Sequence, residues 1–236
     1  MSNNLIMVTG ETNTGKTRSL KELCQRKGVF YANVDGNNKL PFKNNAFVYN
    51  MTDPKHIFSI FEQFEANDEY HTFILDTVTF WFNHYVDTYQ KQYKNGLAFW
   101  NDFGMDVRKL FVDVFKKSNK NVIVLAHVNK VYNEHSQEYE FKIPIKGSTK
   151  DIGIEAFVQN IVTTKTMNIS KLEKYVNPNL TFTPKEKELG VKYVYQLGKT
   201  KEFPNEKVRM PEDLFEGDPT YIDNNMALLI DALDNY

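Results

Sequence analysis

The stretch Gly10-Glu11-Thr12-Asn13-Thr14-Gly15-Lys16-Thr17 constrains this chain more than any other. Two glycines bracket four polar residues, and a lysine and a threonine follow directly. The apolar run at residues 5–8 precedes them and is short enough for a buried strand. Behind them Leu20, Leu23 and Cys24 fall at helical spacing, with Gly28 as a stop. Strand, glycine loop and helix are the setting in which this pattern holds phosphate. The glycines let backbone N–H groups turn inward around a β-phosphate, and the start of the helix adds its positive end. Lys16 can reach the β- and γ-phosphates and Thr17 can hold magnesium, so residues 10–18, Arg18 included, are the candidate nucleotide contacts. The alternative is a glycine turn ahead of a surface helix.

Composition narrows the frame. The chain has 236 residues, enough for one α/β domain with a small appendage, and 41% hydrophobic residues supply a core. Lys and Arg total 29 against 30 Asp and Glu, so no global basic field advertises nucleic acid. The 18 Phe and 13 Tyr fill cores in most proteins, but exposed rings stack on bases. Cys24 is the single cysteine, which excludes a disulfide framework and a cysteine zinc cluster; its place on the apolar helix face marks it as a buried small hydrophobe. No run approaches eighteen apolar residues and no secretory leader is visible, so a cytoplasmic protein without a membrane partner is expected.

The rest of the chain alternates. Residues 28–35 read as a second strand, 71–78 as a third, 121–128 as a fourth and 157–167 as another. Asp53 and Pro54 suit a helix start, followed by Ile57, Phe58, Ile60, Phe61 and Phe64 on one face. Val107, Leu110, Phe111, Val114 and Phe115 form a second helical stripe within 106–118. Residues 139–147 look extended, with Pro144 arguing for an edge or a bulge. The polar segment 168–190 and the run 191–198 together suggest a hairpin-like flap. This pattern predicts a mostly parallel sheet covered by helices on both faces, with ligands beyond the carboxyl ends of its strands. One domain is expected over 1–236, with a core at 1–167 and the flap and C-terminal segment at 168–236.

Three polar residues close those strands. Asp76 ends the third, where a carboxylate can hold magnesium beside Thr17; a helix cap or turn is the alternative. Asp35 ends the second, where an acid can orient water toward a γ-phosphate, although Asp-Gly is also a common turn pair. His127 ends the fourth, where its ring can report the γ-phosphate or simply satisfy a strand end. Lys146 and Lys150 can reach a nucleotide, their own or a neighbour's, or remain solvated charges. His56, His71, His84 and His135 show no metal spacing.

In this order "GETNTGKT", "FYANVDG", "FILDTVTFW", "NVIVLAHVNK" and "IPIKGSTKDIGIEAFVQNIV" resemble the RecA-like ATPases, most of all the phage Sak4-type single-strand annealing proteins. The resemblance covers most of residues 4–230, including the terminal "KVRMPEDLFEGDPTYIDNNMALLIDAL". It implies a RecA-like P-loop core with a C-terminal hairpin-like extension, ATP and magnesium as cofactors, and a homo-oligomer, ring or filament. It also implies single-stranded DNA as partner, a phage single-strand-binding protein nearby, and a bacterial host cell during infection. The family's water-activating glutamate falls near Asp35, one methylene shorter, which implies slow hydrolysis. Its γ-phosphate sensor matches His127, and Lys146 and Lys150 match the region that touches a neighbouring subunit's nucleotide.

The resemblance puts a first DNA-facing loop within 84–103 and a second at roughly 129–141. The first carries Tyr85, Tyr89, Lys91, Tyr93, Lys94 and Trp100, rings interleaved with lysines in a way that suits stacking and phosphate contact. The second carries Lys130, Tyr132 and Tyr139, but also Glu134, Glu138 and Glu140, which oppose a phosphate clamp. An amphipathic helix and a solvated loop would carry the same residues. Two other functions fit the phosphate loop. One is a nucleotide-dependent assembly or regulatory protein that binds other proteins. The other is a small-molecule kinase, disfavoured because only Arg18, Arg26 and Arg108 precede residue 209 and no arginine-rich lid is visible.

Overall fold

In the computed structural model, which describes residues 4–36, 39–135, 137–147, 153–175 and 177–236, the apolar runs become strands and their order fixes where a ligand can lie. The elements are β1 (Leu5–Gly10), α1 (Lys16–Ser19), β2 (Val29–Asn33), β3 (Phe47–Asn50), α2 (His56–Ala66), β4 (Thr72–Asp76), α3 (Val78–Tyr89), α4 (Gly96–Arg108), β5 (Asn121–His127), β6 (Asn129–Asn133), β7 (Glu138–Lys142), β8 (Asn160–Asn168), α5 (Ile169–Leu172), α6 (Pro184–Leu189), β9 (Val191–Gln196), β10 (Tyr221–Asp223) and α7 (Met226–Asp234). Eight strands form one sheet in the order β10-β9-β8-β1-β5-β4-β2-β3. The six from β8 to β3 run parallel, whereas β9 and β10 join antiparallel. This is the expected mostly parallel α/β sheet, covered on both faces.

Successive side chains of each strand point to opposite faces, so one strand feeds two cores. Leu5, Met7, Phe30, Phe73, Leu75 and Val124 pack on one face with α2, α3 and α4. Ile6, Val8, Tyr31, Ile74 and Leu125 pack on the other with Leu20, Leu23, Cys24 and the apolar side of α7. Cys24 is buried there as expected, and burial pushes its thiol up to about 12. Each fully buried Leu, Ile or Phe in these layers contributes about 1.5–3 kcal/mol.

Several local expectations change. The helix behind the glycine loop is a single turn, Lys16–Ser19, followed by a tight turn at Leu23–Gln25; the carbonyls of Cys24 and Gln25 are claimed from outside by Asn45. The helix expected from Asp53 runs from His56, and 53–55 form the turn that leads into it, the Asp53 carboxylate accepting from the Lys55 backbone N–H and the Asp53 carbonyl from that of His56. The stripe at 106–118 continues α4 through a wider π-helical stretch, Lys109–Val114, that keeps Leu110 and Phe111 buried. The edge strand β3 was not expected, since Phe47–Asn50 is four residues long and largely exposed. The hairpin-like extension is present, but β9 lengthens the main sheet instead of standing off it as a flap. Its Val194 and Tyr195 are buried on opposite faces, which only a strand inside a covered sheet allows.

Candidate nucleotide-binding site

The glycine loop leaves the carboxyl end of β1 in the middle of the sheet, between β8 and β5. Its two glycines are required by contacts on each side. A side chain at Gly10 would strike the Thr14 and Thr164 hydroxyls. One at Gly15, where φ is +96°, would meet the Asn224 amide at 2.7 Å and the Tyr193 ring at 2.9 Å. Thr14 and Thr164 hydroxyls lie 2.7 Å apart, joining the loop to β8. Glu11, Thr12 and Asn13 form its exposed crest.

Lys16 is 6% exposed and curls into its own loop, where Nζ donates to the carbonyls of Gly10 at 2.8 Å and Glu11 at 2.7 Å. Burial pulls its amine down to about 8, with Asp76 and Glu11 opposing the shift. Phosphate oxygens arriving in the loop offer this buried cation a stronger acceptor than the two carbonyls. The Thr17 hydroxyl donates to Asp76 Oδ2 at 3.0 Å, which brings together the two residues singled out for magnesium. Asp76 is 2% exposed at the end of β4, and burial raises its carboxyl above the usual range against the pull of Tyr31 and Thr17. Two oxygen donors at the loop, one a carboxylate held in low dielectric, fit a hard divalent cation.

Tyr31 was missed by sequence reading. Its hydroxyl donates to the same Asp76 oxygen, and both residues are buried. A signal existed: Tyr31, Asn33 and Asp35 alternate along the end of β2 and so share one face. All three line a cavity of about 280 Å³ together with Thr17 and Asp76. Asp35 itself lies two residues past β2, on an exposed bend.

His127 ends β5, in register with Gly10 across the β1–β5 pair. Its backbone N–H donates to the Thr79 hydroxyl at 3.4 Å, and its ring stands 5.3 Å from the exposed Phe80 ring. Burial first, then the nearby Lys16 charge, holds the imidazole down to about 4, so it is neutral at pH 7. Thus the loop, Thr17, Asp76, Asp35 and His127 gather at one end of the sheet. Lys146 is exposed beyond β7, and Lys150 lies outside the described residues.

The two expected DNA loops have structure of their own. Residues 84–103 are the end of α3, a single tight turn and the start of α4, not a loop. Tyr85 is core, while Tyr89, Tyr93 and Trp100 are half-buried against that core. The Tyr89 hydroxyl donates to Asp53 at 2.5 Å and that of Tyr93 to Asp102 at 2.8 Å; Lys91 and Lys94 are exposed. Residues 129–133 and 138–142 pair as the separate β6–β7 sheet. Tyr132 and Tyr139 pair across it, 49% and 54% exposed, and Lys130 lies 4.4 Å over the Tyr139 ring.

The sequence match to the model of the AAA domain family runs over residues 2–200, from β1 through the glycine loop, β4 and β5 to β9. The chain belongs to the AAA domain family. It is a nucleotide-binding ATPase domain. Among curated proteins none matches. Among solved structures, this AAA domain is similar to the RadB recombinase, at 16% identity and a TM-score of 0.46 over 86% of this chain and 84% of that one. It is also similar to the flagellar accessory protein FlaH from Methanocaldococcus jannaschii, at 14% identity and 0.43 over 87% and 82%. Among the described residues no helix is long and apolar enough to cross a membrane.

Proposed function

We propose that this AAA domain is a magnesium-dependent ATPase that binds single-stranded DNA as a homo-oligomer, ring or filament, in phage recombination or replication within the bacterial cytoplasm. A phage single-strand-binding protein is its expected companion. The observation that carries the nucleotide half is the Thr17–Asp76 hydrogen bond beside a buried Lys16. Magnesium, held by the Thr17 hydroxyl and the Asp76 carboxylate, would neutralise charge on the phosphates. Lys16 binds the terminal phosphates. Asp35, beside the cavity that Thr17 and Asp76 share, orients the attacking water, its short side chain on an exposed bend making turnover slow. Neutral His127 reports the γ-phosphate to the β6–β7 hairpin, which begins two residues later. Lys146 and Lys150 reach a neighbouring subunit's nucleotide.

For DNA, Lys130, Tyr132 and Tyr139 support the reading best, because their rings are exposed and sequence-blind stacking needs a free face. Lys91 and Lys94 add phosphate contact, with Tyr89, Tyr93 and Trp100 as the packed base beneath them. A second reading, a nucleotide-dependent assembly protein whose partner is another protein, is favoured by Glu134, Glu138 and Glu140 on the same hairpin. Titration of labelled single-stranded DNA with and without ATP and magnesium separates the two. Affinity that rises with ATP supports the DNA reading, and no binding at low salt replaces it with the second.

A further inference from the structure

The phosphate loop is held from outside its own strand. Thr14 is the last residue before Gly15, and its hydroxyl lies 2.7 Å from that of Thr164 on the neighbouring strand β8. Thr164 is 1% exposed, so this is a hydroxyl taken out of water. It also stands against the first glycine of the loop, where a side chain at Gly10 would strike it. One residue 150 positions away therefore abuts both ends of the loop.

Proton counting gives this contact a direction. A hydroxyl carries one proton, so the pair has two protons to share among three contacts. Thr14 Oγ1 lies 2.8 Å from the Glu11 carbonyl, and Thr164 Oγ1 lies 3.2 Å from the Thr9 carbonyl. In one arrangement Thr164 donates to Thr14 and Thr14 donates to Glu11. In the other Thr14 donates to Thr164 and Thr164 donates to Thr9. The Glu11 carbonyl decides between them. In the structure it also accepts from Lys16 Nζ, at 2.7 Å. Phosphate oxygens that draw the Lys16 amine away leave this carbonyl with the Thr14 hydroxyl, which favours the first arrangement. A carbonyl held in that way does not swing toward the phosphate oxygens, which carry no donor for it and repel it.

We infer that Thr164 is a positioning residue for the phosphate site: its hydroxyl donates to Thr14 and so keeps Thr14 on the Glu11 carbonyl when the loop takes a polyphosphate. This rests on the nucleotide-binding reading above. It adds that phosphate affinity is set in part by β8, a strand outside the glycine motif. The preceding residue, Thr163, supplies the contrast. It is 2% exposed, its hydroxyl lies 2.7 Å from that of Thr9, and it donates to the Lys207 carbonyl at 3.1 Å. Its bonds thus run to β1 and to the segment after β9.

The test measures ATP and inorganic tripolyphosphate by calorimetry with magnesium present, with a thermal melt of each variant. Thr164→Val removes the hydroxyl at nearly constant volume. It is expected to weaken both ligands alike, about five- to tenfold, the scale of one buried hydrogen bond. Thr164→Ser keeps the hydroxyl and is expected to restore most of that affinity. Thr14→Val is expected to lose at least as much as Thr164→Val, and adding the second substitution to it nothing further, because Thr164 acts through Thr14. Thr163→Val is expected to lower the melting temperature with both affinities unchanged. A Thr164→Val protein that binds both ligands as tightly as the native one overturns the inference. So does a Thr164→Ser protein as weak as Thr164→Val, a double variant whose losses add, or a Thr163→Val protein as weak as Thr164→Val, since each would make the effect one of packing. If Thr164→Val does not fold, Thr164→Ala is compared with Thr164→Ser in its place. If the native chain binds neither ligand, the nucleotide reading itself fails and the inference with it. If Lys16→Ala abolishes tripolyphosphate binding while Thr164→Val leaves it native, that reading stands and only the inference falls.

Discussion

Around Lys16 the functional side chains are buried and answer one another: Lys16 to two loop carbonyls, Thr17 and Tyr31 to one Asp76 oxygen, Thr14 to Thr164. On the β6–β7 hairpin Lys130, Tyr132 and Tyr139 stand in solvent and touch mainly each other. Under the proposed function the difference follows from what each region would recognise. A phosphate cluster is small and of fixed geometry, so preorganised groups in low dielectric act on it strongly. A single strand is long and variable in sequence, so it is met by exposed rings and screened charges. Residues 84–103 fall between these regimes. Their tyrosine hydroxyls are tied to Asp53 and Asp102, so they belong more to the scaffold than to a reading surface.

The comparison is broken most severely at the loop. Lys16→Ala is expected to lower ATP affinity about 10²-fold or more while circular dichroism remains native, since it removes the charge and leaves the strand in place. Calorimetry showing undiminished affinity would put the phosphate elsewhere. Asp76→Asn keeps the side chain's size and removes its charge. Hydrolysis should fall by about 10²-fold and nucleotide binding should lose its dependence on magnesium, read from phosphate release and from titration at varied magnesium.

A smaller effect sharpens the other side. Replacing Tyr132 and Tyr139 with alanine is expected to weaken single-stranded DNA about tenfold at every sequence, with ATP affinity untouched. Replacing Tyr93 and Trp100 instead should lower the melting temperature more than DNA affinity, because both rings pack on the core. The reverse ranking in fluorescence anisotropy and thermal melts would return the DNA surface to 84–103.

The smallest expected effect is on pH. The His127 imidazole titrates near 4 in the folded chain and near 6.5 when unfolded. Between those values the unfolded chain binds the extra proton, so stability rises with pH in that window and is lost as pH falls through it. Thermal melts from pH 7 to pH 4 should therefore show a steeper decline for the native chain than for His127→Gln. Parallel curves would mean that the ring is solvated and does not sit against the loop.

Much of the candidate nucleotide site was legible in the sequence because its determinants are local. Gly10, Gly15, Lys16 and Thr17 lie on one continuous stretch, and Asp76 and His127 each follow a short apolar run that reads as a buried strand. The alternation of such runs with helical stripes also announced a parallel sheet. The strand order was not legible, because it depends on pairings between distant segments. That order set β1 beside β5 and β8, brought Tyr31 to Asp76 across 45 residues, and carried Asn224 to Gly15 across 209. The same long-range packing decided which aromatics are free. Tyr93, Trp100, Tyr132 and Tyr139 look alike in sequence, but the first two pack on the core, whereas on the hairpin Phe141 is the ring that enters the core and Tyr132 and Tyr139 keep an open face.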